Sequence, residues 1–382
     1  MEKSSIAQKQ EFKKSSGFNK EKEKGKKTEY DMLVFSHLRW GFVYQRPQHI
    51  ISRLSANYHI LFIEEPVHFD VGEEKSFELE IINQNLHVLK PKVSDIPSIS
   101  NILKPLIKNG PTAVGWFYSA AFSPLLTDFR FDKVIYDCMD ELSLFKGAPS
   151  ELINQEKFLL SEANIVFTGG KSLYESKHKS HNNVHCFPSS VEQEHFRKAS
   201  QEKSLSPEDL QKINSPMVGY CGVIDERIDL DLLQKTAILL PEIAFIMVGP
   251  LAKIQEEDLP REENIHYLGM KPYNSLPVYL ATFDIAMMPF ALNDSTKFIS
   301  PTKTLEYMAA GKPIISTAIK DIMRDYSNCI PIIASAEEFA NAIKNILKDP
   351  KDFSADYKEI LSKTSWDSTA AQMEEIIKSK VK

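Results

Sequence analysis

Short apolar runs alternate with helix-length amphipathic segments along most of the chain. In the first half these runs cover residues 32–36, 60–64, 86–89, 113–118, 133–138, 164–168 and 184–187. In the second half they cover residues 217–223, 244–248, 265–268, 285–289, 313–316 and 330–333. Buried strands that alternate with helices at this spacing are typical of parallel sheets covered by helices on both faces. The pattern therefore predicts an α/β protein.

A charged and polar stretch over residues 196–215 interrupts the pattern near the middle of the chain. We predict a linker there, between two Rossmann-like, doubly wound domains over residues 28–195 and 216–365 that face each other across a cleft. Ligands of such folds bind at the carboxyl edge of the sheet, so we expect the site in the cleft. Residues 366–382 predict a final amphipathic helix.

The composition is typical of a soluble globular protein, because 42% of the 382 residues are hydrophobic and 26% are charged. No apolar run approaches the roughly 20 residues that a helix needs to span a bilayer. The four cysteines, Cys138, Cys186, Cys221 and Cys329, lie far apart and lack the spacing of metal ligands. We therefore expect reduced cysteines in a cytoplasmic protein.

Residues 1–27 contain nine lysines and four glutamates and almost nothing apolar. They predict a disordered basic tail without the apolar core of a secretory signal. A solvated tail is the simpler interpretation, and peripheral contact with anionic lipid at the inner face of the membrane is the alternative. The rest of the chain has no basic stripe interleaved with aromatic residues, so we expect no nucleic-acid partner.

The stretch over residues 300–317 predicts a short helix followed by a buried strand. Ser300 is a suitable N-cap, and Pro301 suits the first helical position. Lys303 lies near a helix start whose free N–H groups attract anions, and Glu306 can accept hydrogen bonds from sugar hydroxyls one turn along. A phosphate site next to a site for a diol indicates that a nucleotide binds here. The alternative interpretation is a capped amphipathic helix whose Lys and Glu side chains are only solvated.

The loop after the first strand carries an unusual number of aromatic, cationic and amide side chains. They include His37, Arg39, Trp40, Gln45, Arg46 and His49. The loop follows a strand at the carboxyl edge of a doubly wound sheet, where ligands bind. We therefore favour a role in binding acceptor or phosphate over a purely structural loop.

Three carboxylates, Asp137, Asp140 and Glu141, lie at the end of the run 133–138 and point toward the predicted cleft. Asp140 could accept a proton from an acceptor hydroxyl or stabilise an oxocarbenium-like centre. The alternatives are that Asp137 and Asp140 cap the next helix, or that His37 is the base.

In the second half, Gly222 ends the first apolar run and lets a ligand approach the backbone, and Arg227 follows where a cation could pair with a diphosphate. Asp229 and Asp231 have the Asp-x-Asp spacing of a metal site. They lie at the start of a predicted helix, however, where acidic side chains interact favourably with the helix dipole. We interpret them as structural and predict a metal-independent reaction.

The motif Ser-Pro-x-Lys-x-x-Glu-Tyr-x-Ala-x-Gly-x-Pro over residues 300–313 resembles the nucleotide-sugar segment of GT-B glycosyltransferases, in particular glycosyltransferase family 4. The resemblance covers residues 31–380 and implies the two-domain GT-B fold, with the last helix crossing back to the N-terminal domain. It implies that Glu306 binds the donor ribose and that the helix start, Lys303 and Arg227 bind phosphate. The implied donor-binding set is Gly222, Arg227, Gly249, Met270, Lys271, Ser300, Pro301, Thr302, Lys303 and Glu306.

The pattern Trp-x-Phe-x-x-Gln-Arg-Pro-x-His over residues 40–49 is similar to the first loop of bacterial surface-polysaccharide transferases. This resemblance implies that the loop lies near the acceptor and the donor phosphates. Two positions depart from the family. Phe298 replaces a glutamate that contacts the donor sugar, and Val223 replaces an arginine, so Arg227 must carry more of the charge.

We therefore predict a retaining glycosyltransferase that moves a sugar from a nucleotide diphosphate sugar, UDP- or GDP-linked, to a glycan or lipid-linked acceptor. No further cofactor is predicted. The alternatives are a nucleotide-sugar epimerase of GT-B fold and a catalytically silent GT-B binding subunit.

Overall fold

The computed structural model describes residues 28–67, 76–201 and 206–379. The predicted basic tail over residues 1–27 lies outside the described residues. The described chain builds two sheets, which follow one another in sequence.

The first sheet has eight strands in the order β3-β4-β2-β1-β5-β6-β7-β8. Their bounds are β1 Met32–Ser36, β2 Ile60–Glu64, β3 Phe77–Asn83, β4 Leu86–Pro91, β5 Thr112–Phe117, β6 Phe131–Cys138, β7 Ile165–Thr168 and β8 Val184–Cys186. Neighbouring strands are parallel except β3 and β4. The helices along this part of the chain are α1 Arg46–Leu54, α2 Ile99–Leu106, α3 Glu151–Glu162 and α4 Lys171–Lys177.

The second sheet has six parallel strands in the order β11-β10-β9-β12-β13-β14. Their bounds are β9 Met217–Cys221, β10 Ala244–Val248, β11 Ile265–Tyr267, β12 Ile285–Met288, β13 Ile314–Thr317 and β14 Ile332–Ile333. The accompanying helices are α5 Gln193–Gln201, α6 Leu230–Leu239, α7 Leu276–Thr282, α8 Thr302–Ala309, α9 Lys320–Tyr326, α10 Ala336–Lys348, α11 Ser354–Ser362 and α12 Trp366–Lys378. The two doubly wound sheets confirm the predicted α/β class.

Each sheet reverses its strand order beside its first strand, between β1 and β5 in one sheet and between β9 and β12 in the other. Ligands of open α/β sheets bind outside the carboxyl ends of the strands at such a reversal. The fold thus points to the ends of β1 and β9 as the places to look for a site.

The stretch over residues 196–215, predicted as a linker, contains most of helix α5 and contributes to the core of the second sheet. Helix α5 runs to Gln201, and Phe196 and Ala199 are buried in the core of the second sheet, as is Leu210. The composition of this stretch is polar, but a few apolar side chains suffice to pack its inner face against the sheet.

Helix α12 packs on the first sheet, although it follows the second in sequence. Trp366, Met373 and Ile377 are buried in one cluster with Ile50 and Ile51 of α1. At the surface, Arg53 donates to Asp367 at 2.5 Å. The two halves of the chain are therefore joined by packing as well as by the backbone.

Candidate functional site

A cleft of about 640 Å³ lies between the carboxyl edges of the two sheets. The first domain lines it with the loop after β1 and with Asp140 after β6. The second domain lines it with the turns after β9 and β10, the segment 270–273 and the start of α8. Residues from both halves of the chain thus meet at the places where the strand orders reverse.

The start of α8 faces this cleft without a side-chain cap. The helix begins at Thr302, with Pro301 at the N-cap position and no side-chain hydrogen bond to the first turn. Ser300 is therefore not the N-cap that the sequence predicts, because the helix starts two residues beyond it. Instead, the Ser300 carbonyl accepts a hydrogen bond from the Ser189 hydroxyl at 2.8 Å. The first N–H groups of α8 are left to attract an anion from the cleft.

Helix α8 is fixed to the end of β9 by Tyr307. Its fully buried hydroxyl accepts a hydrogen bond from the Cys221 N–H at 2.8 Å. Sequence reasoning missed this role, because the bond joins residues 86 positions apart.

Two glycine turns let Lys303 pass along the floor of the cleft. A Cβ atom at Gly222 would overlap the Lys303 side chain, and a Cβ at Gly249 would overlap the Gly222 carbonyl oxygen. The Lys303 Nζ lies 5.6 Å from the centre of the Tyr220 ring. Burial lowers the pKa of Lys303, and the negative charge of Glu306 opposes that shift.

Glu306 lines the cleft one turn after Lys303. Burial raises the pKa of this carboxyl to about 7, the positive charge of Lys303 opposes the rise, and Glu192 adds to it. A carboxylate with an elevated pKa in a cleft is a common property of functional sites.

Arg227 lines the cleft, but its charge is shared with a partner that the sequence analysis did not identify. Its guanidinium donates hydrogen bonds to the Asp225 carboxylate, from Nε at 3.0 and 3.1 Å and from Nη2 at 2.6 Å. The short spacing of Asp225 and Arg227 in the sequence could have indicated this ion pair. Farther along, Asp229 caps α6 by accepting from the Leu232 N–H at 2.9 Å, and Asp231 pairs with Lys235.

The segment after β11 supplies Met270 and Lys271 to the cleft wall. Met270 is 45% exposed, so its side chain is available to a ligand. The Lys271 ammonium instead pairs with Asp209 at 2.7 Å. Of the two predicted residues, only Met270 presents an unengaged side chain.

The first loop contributes Trp40 and Gln45 to the lining, whereas three of its predicted ligand-binding residues are engaged elsewhere. Arg46 also reaches the lining, but it is buried. Its guanidinium donates to Asp137 at 2.9 to 3.1 Å and to the Phe187 carbonyl at 2.7 Å. Arg46 therefore lines the cleft as a member of a buried ion pair with Asp137.

His49 and Arg39 are not part of the cleft lining. The buried His49 ring stacks on Trp366, with centroids 4.7 Å apart, and burial lowers its pKa to about 2. Arg39 pairs with the buried carboxylate of Glu64 at 3.3 Å. Both side chains are instead engaged by residues that do not line the cleft, Trp366 and Glu64.

Asp140 lies in the cleft wall opposite the second domain, whereas His37 does not. Burial raises the pKa of Asp140, the positive charge of Arg227 opposes the rise, and Asp225 adds to it. Burial lowers the pKa of His37 to about 4, and its Nδ1 has no hydrogen-bond partner. The capping alternative is not observed, because Asp137 binds Arg46 and the following 3₁₀ turn has Glu141 at its N-cap position.

The second domain matches a protein family described as glycosyl transferases group 1, over residues 215–349. A curated relative is the Bacillus subtilis (strain 168) protein TuaH, which is assigned to teichuronic acid biosynthesis as a glycosyltransferase. It is 26% identical over 233 residues, which cover 56% of this chain. The matched region spans 58% of the length of TuaH.

Solved structures of similar fold cover nearly the whole chain. Sucrose-phosphate synthase from Thermosynechococcus elongatus has a TM-score of 0.69 at 14% identity, covering 90% of this chain and 97% of its own. Anabaena Alr3699/HepE, in complex with UDP and glucose, has a TM-score of 0.64 at 14% identity, with coverages of 92% and 100%. The E. coli trehalose-6-phosphate protein bound with UDP-2-fluoro glucose has a TM-score of 0.65 at 11% identity, with coverages of 91% and 99%.

The structural neighbours confirm the predicted GT-B fold. The similarity of the second domain to glycosyl transferases group 1, and of part of the chain to TuaH, agrees with the glycosyltransferase class that the sequence predicts. Within the described part of the chain, no helix is both long and apolar enough to cross a membrane.

Proposed function

We propose that this chain is a retaining, metal-independent glycosyltransferase that uses a UDP-linked sugar as donor. The observation that carries the proposal is the arrangement of helix α8. Its start has no side-chain cap and faces the cleft, and Lys303 and Glu306 line the same cleft beside the turns at Gly222 and Gly249. The UDP ligands of two similar structures, Alr3699/HepE and the E. coli trehalose-6-phosphate protein, support the choice of UDP.

In the proposed complex the diphosphate lies at the start of α8. The first N–H groups of the helix and the Lys303 ammonium bind the phosphate oxygens, because both present positive charge to the cleft. Arg227 contributes less, since Asp225 already neutralises it. One turn along, the Glu306 carboxylate accepts hydrogen bonds from the two ribose hydroxyls.

The base lies against the segment 270–273, where Met270 offers exposed apolar surface. The donor sugar then extends toward Asp140 and the first loop. Phe298 stands where the family has a sugar-binding glutamate, and it packs against the core of the first domain. The sugar hydroxyl that such a glutamate would bind must find another partner in this protein.

In the proposed reaction an acceptor hydroxyl oxygen attacks the anomeric carbon on the face that UDP leaves. The bond between that carbon and the β-phosphate oxygen breaks, and UDP departs with the electron pair. The hydroxyl proton passes to Asp140, whose elevated pKa makes it a better base than an exposed aspartate. Lys303 and the helix start stabilise the charge that develops on the leaving diphosphate.

The acceptor is a glycan or lipid-linked glycan of the cell surface. Two features support this class: the resemblance of residues 40–49 to surface-polysaccharide transferases and the assignment of the relative TuaH to teichuronic acid biosynthesis. Metal independence is supported by the engagement of Asp229 and Asp231 in a helix cap and an ion pair.

A panel of UDP- and GDP-sugars, assayed for nucleotide release with and without glycan acceptors, tests the proposal. We expect release from at least one UDP-sugar, stimulated by acceptor and lost in Lys303→Ala. The Lys235→Ala variant removes a lysine that pairs with Asp231 at the surface and serves as control. Binding of UDP without turnover of any donor would support the silent-subunit alternative, and epimer formation without acceptor would support the epimerase.

A further inference from the structure

A loop of the first domain reaches the second domain directly after Asp140. Its 3₁₀ turn, Leu142–Leu144, is followed by Phe145, whose ring lies against two cations of the second domain. The Lys253 Nζ is 4.2 Å and the Arg227 Cζ is 5.5 Å from the ring centre. At the next residue, the Lys146 N–H donates to the Glu226 Oε1 at 3.0 Å.

The other end of this loop is anchored in the first domain. Glu141 accepts from the buried Lys177 ammonium at 2.6 Å, and Lys177 also donates to Glu156 at 2.6 Å. Glu156 accepts a further bond from Tyr136 in strand β6, at 2.6 Å. Asp140 therefore lies just before a segment with one end fixed to its own domain and one end resting on the other domain.

The two cations belong to adjoining loops of the second domain that are bonded to each other. Ile224 and Leu251 form a β-bridge, and the Ala252 N–H donates to the Ile224 carbonyl at 3.1 Å. Lys253 has a φ angle of 62°, the one positive φ outside glycine among the described residues. L-residues with side chains adopt this conformation at an energetic cost, so the surrounding loop must hold Lys253 in place.

We propose that Phe145 is a positioning residue, which closes the cleft by binding Lys253 and Arg227 on its ring and thereby holds Asp140 against the donor. The proposal rests on the proposed function for the role of Asp140. A cation over an aromatic face is attracted by the ring quadrupole, which an aliphatic side chain of similar volume lacks. The contact also brings the Lys253 ammonium, and the guanidinium of Arg227 that is paired with Asp225, to the Asp140 side of the cleft.

Closure of this kind would keep water from the anomeric carbon. Its loss is expected to affect the chemical step and the ratio of transfer to hydrolysis, and to leave UDP affinity unchanged. This combination separates a positioning role from a general loss of folding.

Hydrogen exchange provides a test that does not require turnover. In the full-length protein, we expect the peptide covering residues 142–149 to exchange about tenfold faster in Phe145→Ala and Phe145→Leu than in the wild type, and Phe145→Tyr to match the wild type. Phe158→Ala, which removes an exposed ring on α3, serves as control and should leave this peptide unchanged. Equal protection in Phe145→Leu and wild type, or no change in Phe145→Ala, would overturn the proposal.

Donor kinetics provide the second readout. With the UDP-sugar that the wild type uses, Phe145→Leu should lower kcat about tenfold and raise the share of hydrolysis, with UDP affinity and melting temperature unchanged. Phe145→Tyr should match the wild type in kcat and in the share of hydrolysis. An unchanged kcat in Phe145→Leu contradicts the positioning role. Wild-type protein without any donor turnover would contradict the proposed function instead, while the exchange experiment still decides on the contact.

Discussion

At the residue scale, the two side chains on which the proposed donor site depends differ in how they meet the cleft. Lys303 reaches it over Gly222, where any side chain would overlap the lysine stem. Glu306 faces it as a carboxyl whose pKa burial raises to about 7. Both ionised groups are unfavourable in the buried site, and an anionic ligand with a diol would relieve that cost by binding to them.

The pKa of Glu306 predicts how pH acts on stability. Since the folded-state pKa of about 7 exceeds the ordinary value of 4.5, the folded protein holds this proton more tightly, and its stability falls as pH rises from about 4.5 through 7. We expect Glu306→Gln to melt a few degrees higher than wild type at pH 8 and to lose the advantage near pH 4.

Thermal unfolding of both proteins across this pH range is the measurement. The control is Glu194→Gln, a side chain 82% exposed, which should show no such pH-dependent difference. A lower melting temperature for Glu306→Gln at pH 8 would contradict the assignment of a costly buried carboxylate.

Gly222→Ala is expected to displace Lys303 and to weaken UDP binding at least tenfold, while the backbone of β9 remains paired with β10. Calorimetric titration with UDP measures the loss. Lys303→Ala provides the comparison, because the double variant Gly222→Ala, Lys303→Ala should bind no more weakly than Lys303→Ala alone. Full additivity of the two substitutions would show that the glycine acts independently of the lysine.

Sequence reasoning predicted that Lys303 and Glu306 lie close together because both are on one short helix, and both line the cleft. It could not place Arg46 or His49. Arg46 binds Asp137, 91 positions away, and His49 stacks on Trp366 from the far end of the chain. A loop rich in polar side chains has the same composition whether those side chains meet a ligand or long-range partners.

At the element scale, the predicted strands are present within a few residues of their expected bounds, because buried parallel strands are continuous apolar runs. Strand β3 was missed. It is an antiparallel edge strand in which Glu78 and Glu80 alternate with exposed apolar residues, so no apolar run marks it. Helix α5 was missed for a similar reason, since most of its surface is polar.

The position of α8 depends on the bond between the Tyr307 hydroxyl and the Cys221 N–H. We expect Tyr307→Phe to leave that buried N–H unpaired and to lower the free energy of unfolding by about 1–3 kcal/mol. UDP affinity should fall with it, because α8 loses its attachment to β9. Denaturant unfolding and calorimetry are the measurements.

Tyr279→Phe is the matched control, because it removes a hydroxyl that donates to the partly exposed Asp209. Its cost should be smaller, since water can replace that partner. An equal loss in both variants, or no loss in Tyr307→Phe, would argue against this attachment of α8.

At the scale of the whole molecule, the two domains are held together on one side of the cleft by Asp321. This carboxylate of α9 accepts from the Ser172 N–H at 3.2 Å and from the Ser172 hydroxyl, so it caps α4 from the other domain. Helix α4 begins after Gly170, which has no side chain to serve as its own cap. A Cβ at Gly170 would meet Asp321 and Ser300, so a glycine is needed where the domains approach closely.

Asp321→Ala is expected to lower the free energy of unfolding by about 0.5–2 kcal/mol, the usual cost of losing an N-cap, and to increase the radius of gyration measured by X-ray scattering. Asp325→Ala is the control. It removes an ion pair with the exposed Lys171, which should be worth less than about 1 kcal/mol. Unchanged stability and dimensions in Asp321→Ala would contradict this role for the carboxylate.

A crystal structure of the protein with bound UDP is the most direct measurement of the proposed donor site. We predict the β-phosphate at the first N–H groups of α8 within reach of Lys303, and the ribose hydroxyls on the Glu306 carboxylate. A nucleotide bound outside this cleft, or bound in it with the ribose away from Glu306, would contradict the proposal.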